Sequence, residues 1–383
     1  MFNELYTTIF TYIFIIGAAQ AAQLSIVLFR KKENQLANHV LAFTMALFTI
    51  DLAQGVFFLS GNVLHFPQSM AISNTFPYLY GPLVYVYILL LTGTKNSVSK
   101  LWYHGIPFVL VQIYGVLFFY FESPEFYKSI VTPGGNTTWH FILIGNLIPI
   151  SGFIYTALSV KATINYRKKI KETFSNIESI NLSWLVQIAG GTAVIWSIVL
   201  ISYVLVFVSG DDPQFAAGIY ISMSVFMFLL GYKSLRQPQI IYVEAEREGE
   251  EKPESYKKSG LSEDLVKDSI IKLNLVMLEQ KPHLNSELKL PELAEMVGVS
   301  NHNLSEIINR HMGQTFYDYV NAFRVEEVKK LIQEDTESRF TILALGYDAG
   351  FSSKSAFYTA FKKATGITPA QFRNDARLHS NAS

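Results

Sequence analysis

Cysteine is absent from all 383 residues, which excludes disulfides, thiolate zinc sites and cysteine nucleophiles and leaves the redox compartment open. Charge is scarce along the first 60% of the chain, where long runs carry no Asp, Glu, Lys or Arg. Also missing are a P-loop, a dinucleotide fingerprint, H-E-x-x-H and G-x-S-x-G, so no motif points to catalysis. His39, His65, His104 and His140 are scattered and match no metal-ligand spacing. The expectation is a protein that is not an enzyme and that needs neither metal nor cofactor. Its length allows two or three domains.

What fills the charge-poor region is apolar. Seven segments are long enough to cross a bilayer: Leu5–Phe29, Leu36–Ser60, Ala71–Thr94, Leu101–Phe121, Trp139–Val160, Leu182–Ser209 and Pro213–Tyr232. Each offers about 20 residues or more, the length that a ~30 Å hydrocarbon core demands of a helix. Asp51 is the one Asp, Glu, Lys or Arg inside any of them. A soluble protein with seven successive buried helices would need polar faces that these segments lack.

Orientation follows from the flanking basic residues. Twelve Lys and Arg lie on the side where the first segment ends, from Arg30 to Arg236, and Lys128 alone lies on the other. The positive-inside rule then puts the N-terminus outside and everything after Tyr232 in the cytoplasm. Trp102, Trp139 and Trp184 stand at segment ends, where an interfacial belt would hold them. The first segment has neither a basic n-region nor an A-x-A-like site after it, so a cleaved signal peptide is not expected. Residues 136–138 form a formal glycosylation sequon.

From 237 to 260 the chain turns rich in Glu and Lys and loses apolar periodicity, which reads as a linker. Amphipathic spacing then begins in LSEDLVKDSIIKLNLVMLEQKP, where Leu265, Ile270 or Ile271, Leu273, Val276 and Leu278 are expected to face inward. The domain that follows contains an internal repeat. Leu293, Ala294, Gly298, Ser300, Leu304, Ile308 and Gly313 recur as Leu345, Gly346, Gly350, Ser353, Phe357, Phe361 and Gly366, with one extra residue in the second turn. Each copy has a small residue where two helices cross, glycine in the turn and a serine cap for the second helix. Between them 314–332 reads as one helix with Phe316, Tyr319, Val320, Phe323 and Leu331 inward.

The runs L-x-x-LA-x-x-x-G-x-S, G-x-x-F-x-x-Y-x-N-x-x-R-V and GF-x-S-x-S-A-F-x-x-x-FKK-x-x-G-x-TP-x-x-FR, from about Leu284 to Arg373, resemble the AraC-type DNA-binding domain of bacterial transcription regulators. Val328 and Gly346 depart from it, each standing where that family usually has alanine. A seven-span module ahead of such a domain is similar to membrane-bound regulators of Bacteroidota. The resemblance implies a multi-pass protein of the bacterial cytoplasmic membrane, with both recognition helices entering successive major grooves on one face of double-stranded DNA. The expected fold is all-α: a seven-helix transmembrane bundle at 1–236, a linker at 237–260 and a cytoplasmic helical domain at 261–383. Its two helix-turn-helix units, about 290–313 and 340–366, are joined by a long helix.

Residues opposite each buried stripe would meet base edges. In the first unit these are Asn301, His302, Ser305, Glu306 and Asn309; in the second, Lys354, Ser355, Tyr358, Thr359 and Lys362, with Lys363 as a phosphate contact. Asn301 suits adenine, Glu306 cytosine N4 and Lys354 guanine. Residues 261–383 nevertheless hold 14 basic and 16 acidic side chains, while Ala349–Arg373 holds Lys354, Lys362, Lys363 and Arg373 without an acid. A positive stripe on an acidic domain binds DNA weakly as a monomer, and a homodimer on adjacent sites would add effective concentration.

In the membrane part, an ionisable residue within a span is a candidate functional site, and Asp51 with Gln54 one turn on is that candidate. It is equally read as a hydrogen-bonded knot with Gln20, Gln23 or Gln112. The stretch FPYLYGPLVYVY places Pro77, Gly81 and Pro82 where a helix must distort, so Tyr78 and Tyr80 join Asp51 and Gln54 as candidate ligand-binding residues for a small-molecule or membrane signal. The rival to a transcription regulator is a receptor or transporter-like protein whose C-terminal helices bind a protein partner.

Overall fold

A computed structural model of the chain describes residues 2–62, 74–93, 101–118, 139–178, 182–209, 213–236, 262–335 and 337–380, with a few single residues between these stretches. Among the described residues the fold is all-α. It divides into two compact units, one of residues 1–164 and 182–242 and one of 165–181 and 243–383. The linker at 237–260 and the sequon at 136–138 lie outside the described residues.

The first unit is built on α1 (Phe2–Arg30), α2 (Gln35–Leu59), α3 (Pro77–Leu91), α4 (Ile106–Phe118), α5 (Trp139–Lys171), α6 (Ser183–Ser209) and α7 (Pro213–Arg236). Five of these, α1, α2, α5, α6 and α7, are long and apolar enough to cross a membrane. The third and fourth expected segments fall partly outside the described residues, and the helices seen within them are shorter, at 15 and 13 residues. Apolar side chains such as Ile16, Phe29, Ile154 and Ile201 are exposed along these helices, as a lipid-facing surface requires. Pro77 occupies the first turn of α3, where its missing N–H costs nothing, while Pro82 lies inside it and removes the bond to the Tyr78 carbonyl.

Polar groups within the first unit find partners. The Tyr80 hydroxyl of α3 donates to Asp51 Oδ2 of α2 at 2.9 Å, and both residues are buried. Tyr87 donates to Ser234, whose hydroxyl in turn donates to Asn38. Lys31 Nζ donates to the carbonyls of Ser234 and Leu235, capping the end of α7 with a positive charge.

The second unit contains α8 (Glu263–Glu279), a short 3₁₀ turn at Pro282–Leu284, α9 (Leu290–Val297), α10 (Asn301–Glu306), α11 (Phe316–Glu334), α12 (Ile342–Asp348), α13 (Lys354–Thr365) and α14 (Pro369–Ser380). Ile307–His311 continue α10 as one wider π turn. Two cores form. Leu273, Met277, Leu293, Val297, Leu304, Ile308, Phe316 and Val320 make the first. Val325, Val328, Ile332, Leu345, Phe351, Phe357 and Phe361 make the second. The first half of α11 closes one core and its second half the other, so a single helix carries both.

One expected face is corrected. In α8 the residues turned inward are Val266, Ser269, Leu273 and Met277, whereas Leu265, Ile271 and Leu278 are exposed. The helix carries apolar residues on two faces, and spacing alone does not say which face packs.

Candidate nucleic-acid interface

Two helix pairs, α9 with α10 and α12 with α13, are built by the same local chemistry. Gly298, at φ 77°, ends α9 in a left-handed conformation, and Ser300 then accepts a hydrogen bond from the Asn303 amide to start α10. In the second pair Gly350 adopts φ 91°, and Ser353 accepts from the Ala356 amide to start α13. Both caps satisfy an amide that a helix N-terminus would otherwise leave open. The serine lies two residues after the glycine in the first pair and three after it in the second.

Glycine at 346 has a packing cause. A Cβ at Gly346 would lie 2.7 Å from Phe357 Cδ1, so the large ring that fills the second core leaves no room for a methyl group. In the first pair the matching positions are Ala294 and Leu304, a smaller partner facing a larger one. Gly350 is fixed doubly: besides its φ, a Cβ there would meet the His283 carbonyl at 2.3 Å.

Each second helix presents its first turn to solvent. Asn301 and His302 are exposed at the start of α10, and Lys354 and Ser355 at the start of α13, with Thr359, Lys362 and Lys363 exposed further along. Ser305 and Asn309 are half-buried and bonded to each other, Asn309 Nδ2 donating to Ser305 Oγ at 3.2 Å. Tyr358 is half-buried, and Lys354 Nζ lies 5.6 Å from its ring centroid, a cation–π contact that steadies the lysine.

Three charged residues stand differently from what the sequence suggests. Glu306 is buried, at 4% exposure, and Arg310 donates to its Oε1 at 2.8 Å, so its carboxylate holds the helix together instead of facing out toward cytosine. Arg310 is the exposed member of that pair, and sequence reasoning passed over it because it lies past the expected contact turn. Lys363 pairs with Asp318 of α11 at 2.7 Å. Arg373 pairs with Asp335 and donates to the Phe340 carbonyl, with its side chain only 11% exposed. Lys354 and Lys362 therefore carry more of the exposed positive stripe than the four cations of Ala349–Arg373 together suggest.

In the first unit, Asp51 and Tyr80 are brought together, while the Tyr78 hydroxyl donates to the Ile144 carbonyl of α5 instead. Gln112 takes a hydrogen bond from Thr75. Tyr80 also borders a cavity of about 30 Å³ with Gly81, Tyr155, Ser159, Trp196 and Met223. That is room for about one water, an order of magnitude less than the ~300 Å³ or more of a small-molecule pocket.

A pair of short helices set by a glycine turn, with the second helix exposed at its capped start, is the arrangement of a helix-turn-helix motif. Residues 293–375 match the family model described as a helix-turn-helix domain. A probable transcription factor of Proteus vulgaris is 33% identical over 111 residues, covering 29% of this chain and 88% of its own length. An uncharacterised HTH-type transcriptional regulator of Staphylococcus aureus (strain COL) is 35% identical over 104 residues, 27% of this chain. The matched stretch spans only 14% of that relative's length. A solved structure from Listeria innocua, of a protein of unknown function, is 24% identical over 26% of this chain and 92% of its own, with a TM-score of 0.23.

The chain belongs to the AraC-type helix-turn-helix transcription regulators, a family of DNA-binding proteins that are typically not enzymes. Its N-terminal part adds several apolar helices suited to a membrane.

Proposed function

We propose that the chain is a one-component regulator embedded in the bacterial cytoplasmic membrane, with seven spans, the N-terminus outside and the DNA-binding domain in the cytoplasm. The membrane domain senses a signal, and the 261–383 domain reads double-stranded DNA through two helix-turn-helix units. The single observation that carries the DNA-reading part is that two helix pairs with the same glycine and serine chemistry hang from one helix, α11. A rigid bar of that kind sets two recognition helices at a fixed spacing, the condition for entering successive major grooves.

The base readers supported best are the exposed ones: Asn301 and His302 in the first unit, and Lys354, Ser355 and Thr359 in the second. Lys362 and Arg310 suit phosphate oxygens, where a cation acts without reading sequence. Ser305, Asn309 and Tyr358 sit at the edge of the contact surface and orient their neighbours. For sensing, the buried Asp51–Tyr80 pair is the element that a signal would rearrange, because a signal shifts a two-state equilibrium only by favouring one state.

Capture of sheared genomic DNA by the full chain in detergent tests the DNA-binding part. The unaltered protein should enrich discrete fragments, and the double variant Asn301→Ala/Lys354→Ala should lose that enrichment while keeping its abundance. Equal enrichment by both would remove these residues from the interface.

A further inference from the structure

Among the described residues of the second unit, Arg324 is the largest fully buried side chain, at 1% exposure. Its guanidinium makes five hydrogen bonds. Nε donates to the His283 carbonyl at 2.8 Å, Nη2 to the Asn285 carbonyl at 2.8 Å and Nη1 to Asn321 Oδ1 at 3.1 Å. The other two go to a residue far away in sequence: Nη1 to the Ser175 carbonyl and Nη2 to Ser175 Oγ, each at 3.1 Å. Burial holds the Arg324 pKa down to about 10, which leaves it charged at neutral pH and dependent on all of these acceptors.

Ser175 lies in the short segment between α5 and α6, and an isolated antiparallel bridge ties that segment to the residues that lead into α9. Ser175 N donates to the Leu288 carbonyl and Leu290 N to the Thr173 carbonyl, at 3.2 and 2.9 Å, so that Phe174 bridges Lys289 in antiparallel fashion. Leu290 is the first residue of α9, and its amide is one that the helix itself cannot satisfy. Ser175 Oγ also donates to the Leu288 carbonyl at 2.7 Å, and Asn176 Nδ2 donates to Glu287 Oε1 at 2.7 Å. Lys171 Nζ lies 5.4 Å from the Tyr317 ring centroid.

We propose that residues 172–178 are a docking strap, seated in a groove formed by Glu287–Leu290 and the Tyr317–Arg324 turns of α11, and that the strap fixes the setting of the two helix pairs through Arg324. Arg324 sits where the two cores meet. Its carbonyl partners at His283 and Asn285 belong to the turn that closes against Gly350, and its guanidinium lies 5.9 Å from the Phe351 ring centroid. With the strap seated, the start of α9 and the turn before α13 are tied to one buried cation. With the strap withdrawn, Arg324 loses two acceptors, the Leu290 amide loses its partner, and both helix pairs loosen about α11. The strap is covalently continuous with α5 on one side and α6 on the other, so it gives a change in those helices a route to the DNA reader besides the linker. The contact stands by itself; only its consequence for DNA rests on the function proposed above.

The test uses the full chain, which has no thiol of its own. Asn176→Cys with Glu287→Cys, plus a protease site inserted within 245–255, should give an intramolecular disulfide on mild oxidation. After cleavage the C-terminal fragment should stay attached on a non-reducing gel and be released by reductant. Complete separation under oxidation, with both thiols open to a maleimide, would overturn the strap. In hydrogen exchange, Ser175→Trp, too large for its buried site, should speed exchange about tenfold in peptides covering 285–292 and 345–352, leaving α1, α2 and α7 unchanged. Ser175→Ala, which keeps the backbone pairing, should give a smaller increase in the same peptides. No change at 345–352 in either variant would overturn the coupling through Arg324. DNA capture by the unaltered chain is read separately, since its loss would overturn the DNA-binding function and not the strap.

Discussion

Glu306 and Lys354 both face away from the apolar stripe in a helical projection, yet only the lysine is exposed. The acid is buried and its charge is met by the exposed Arg310 four residues on, as a buried charge requires a partner, while Lys354 is held at the surface over Tyr358. Lys354→Ala should therefore weaken binding to a captured genomic fragment by ~1–3 kcal/mol and blur the preference at one position. Lys363→Ala should weaken all sequences alike and by less, because Asp318 already neutralises part of its charge. Mobility shifts at several salt concentrations separate the two, and equal losses in both variants would contradict the assignment. Gly346→Ala tests the packing argument. A methyl group 2.7 Å from Phe357 should destabilise the domain by ~1–3 kcal/mol, outweighing the ~1 kcal/mol that alanine gains in helix propensity. Phe357→Leu in the same chain should recover part of that loss, and additive effects in a denaturant titration followed by proteolysis of the C-terminal helices would refute it.

At the scale of elements, the repeated glycine and serine of the two helix pairs were legible because they act locally: one sets a left-handed turn, the other caps three residues on. Ser353→Ala should cost about 1 kcal/mol of stability and fray the first turn of α13, which exchange at the Ala356 amide would reveal. The same local logic located α11 and its inward Phe316, Tyr319 and Val320. It did not find Arg324 or Asn321, buried on the same helix, because a charged or amide side chain reads as solvent-facing until its distant partner is known. That partner, Ser175, is 149 residues away, and nothing in the spacing of either segment announces it. The inward face of α8 was legible only in part, Leu273 and Val276 facing the core as expected, for a related reason. Leu265, Ile271 and Leu278 are as apolar as the residues that pack, and only the neighbouring helices choose between the faces. In the third segment α3 runs from Pro77 to Leu91 with Pro82 inside it, and Tyr80 is the residue that donates to Asp51, where the sequence context suggested three glutamines.

At the scale of the whole molecule, one chain joins helices long and apolar enough to cross a membrane to a helix-turn-helix domain, and the proposed function puts a DNA reader beside a membrane. The proposed direction rests on the twelve-to-one distribution of basic residues. A reporter active only in the cytoplasm should be active when fused after Arg236 and silent when inserted at Gly134. The reverse pattern would put the DNA-binding domain on the wrong side of the membrane. The central claim is that this tethered domain reads DNA with two recognition helices held by α11. Crosslinking the intact protein to the genome in growing cells, mapped at base resolution, tests it most directly. The account predicts discrete sites, each with two clusters of contacts on one face of the duplex separated by about one helical turn, roughly 10 base pairs. Crosslinks scattered without preference, or sites with a single contact cluster, would contradict it.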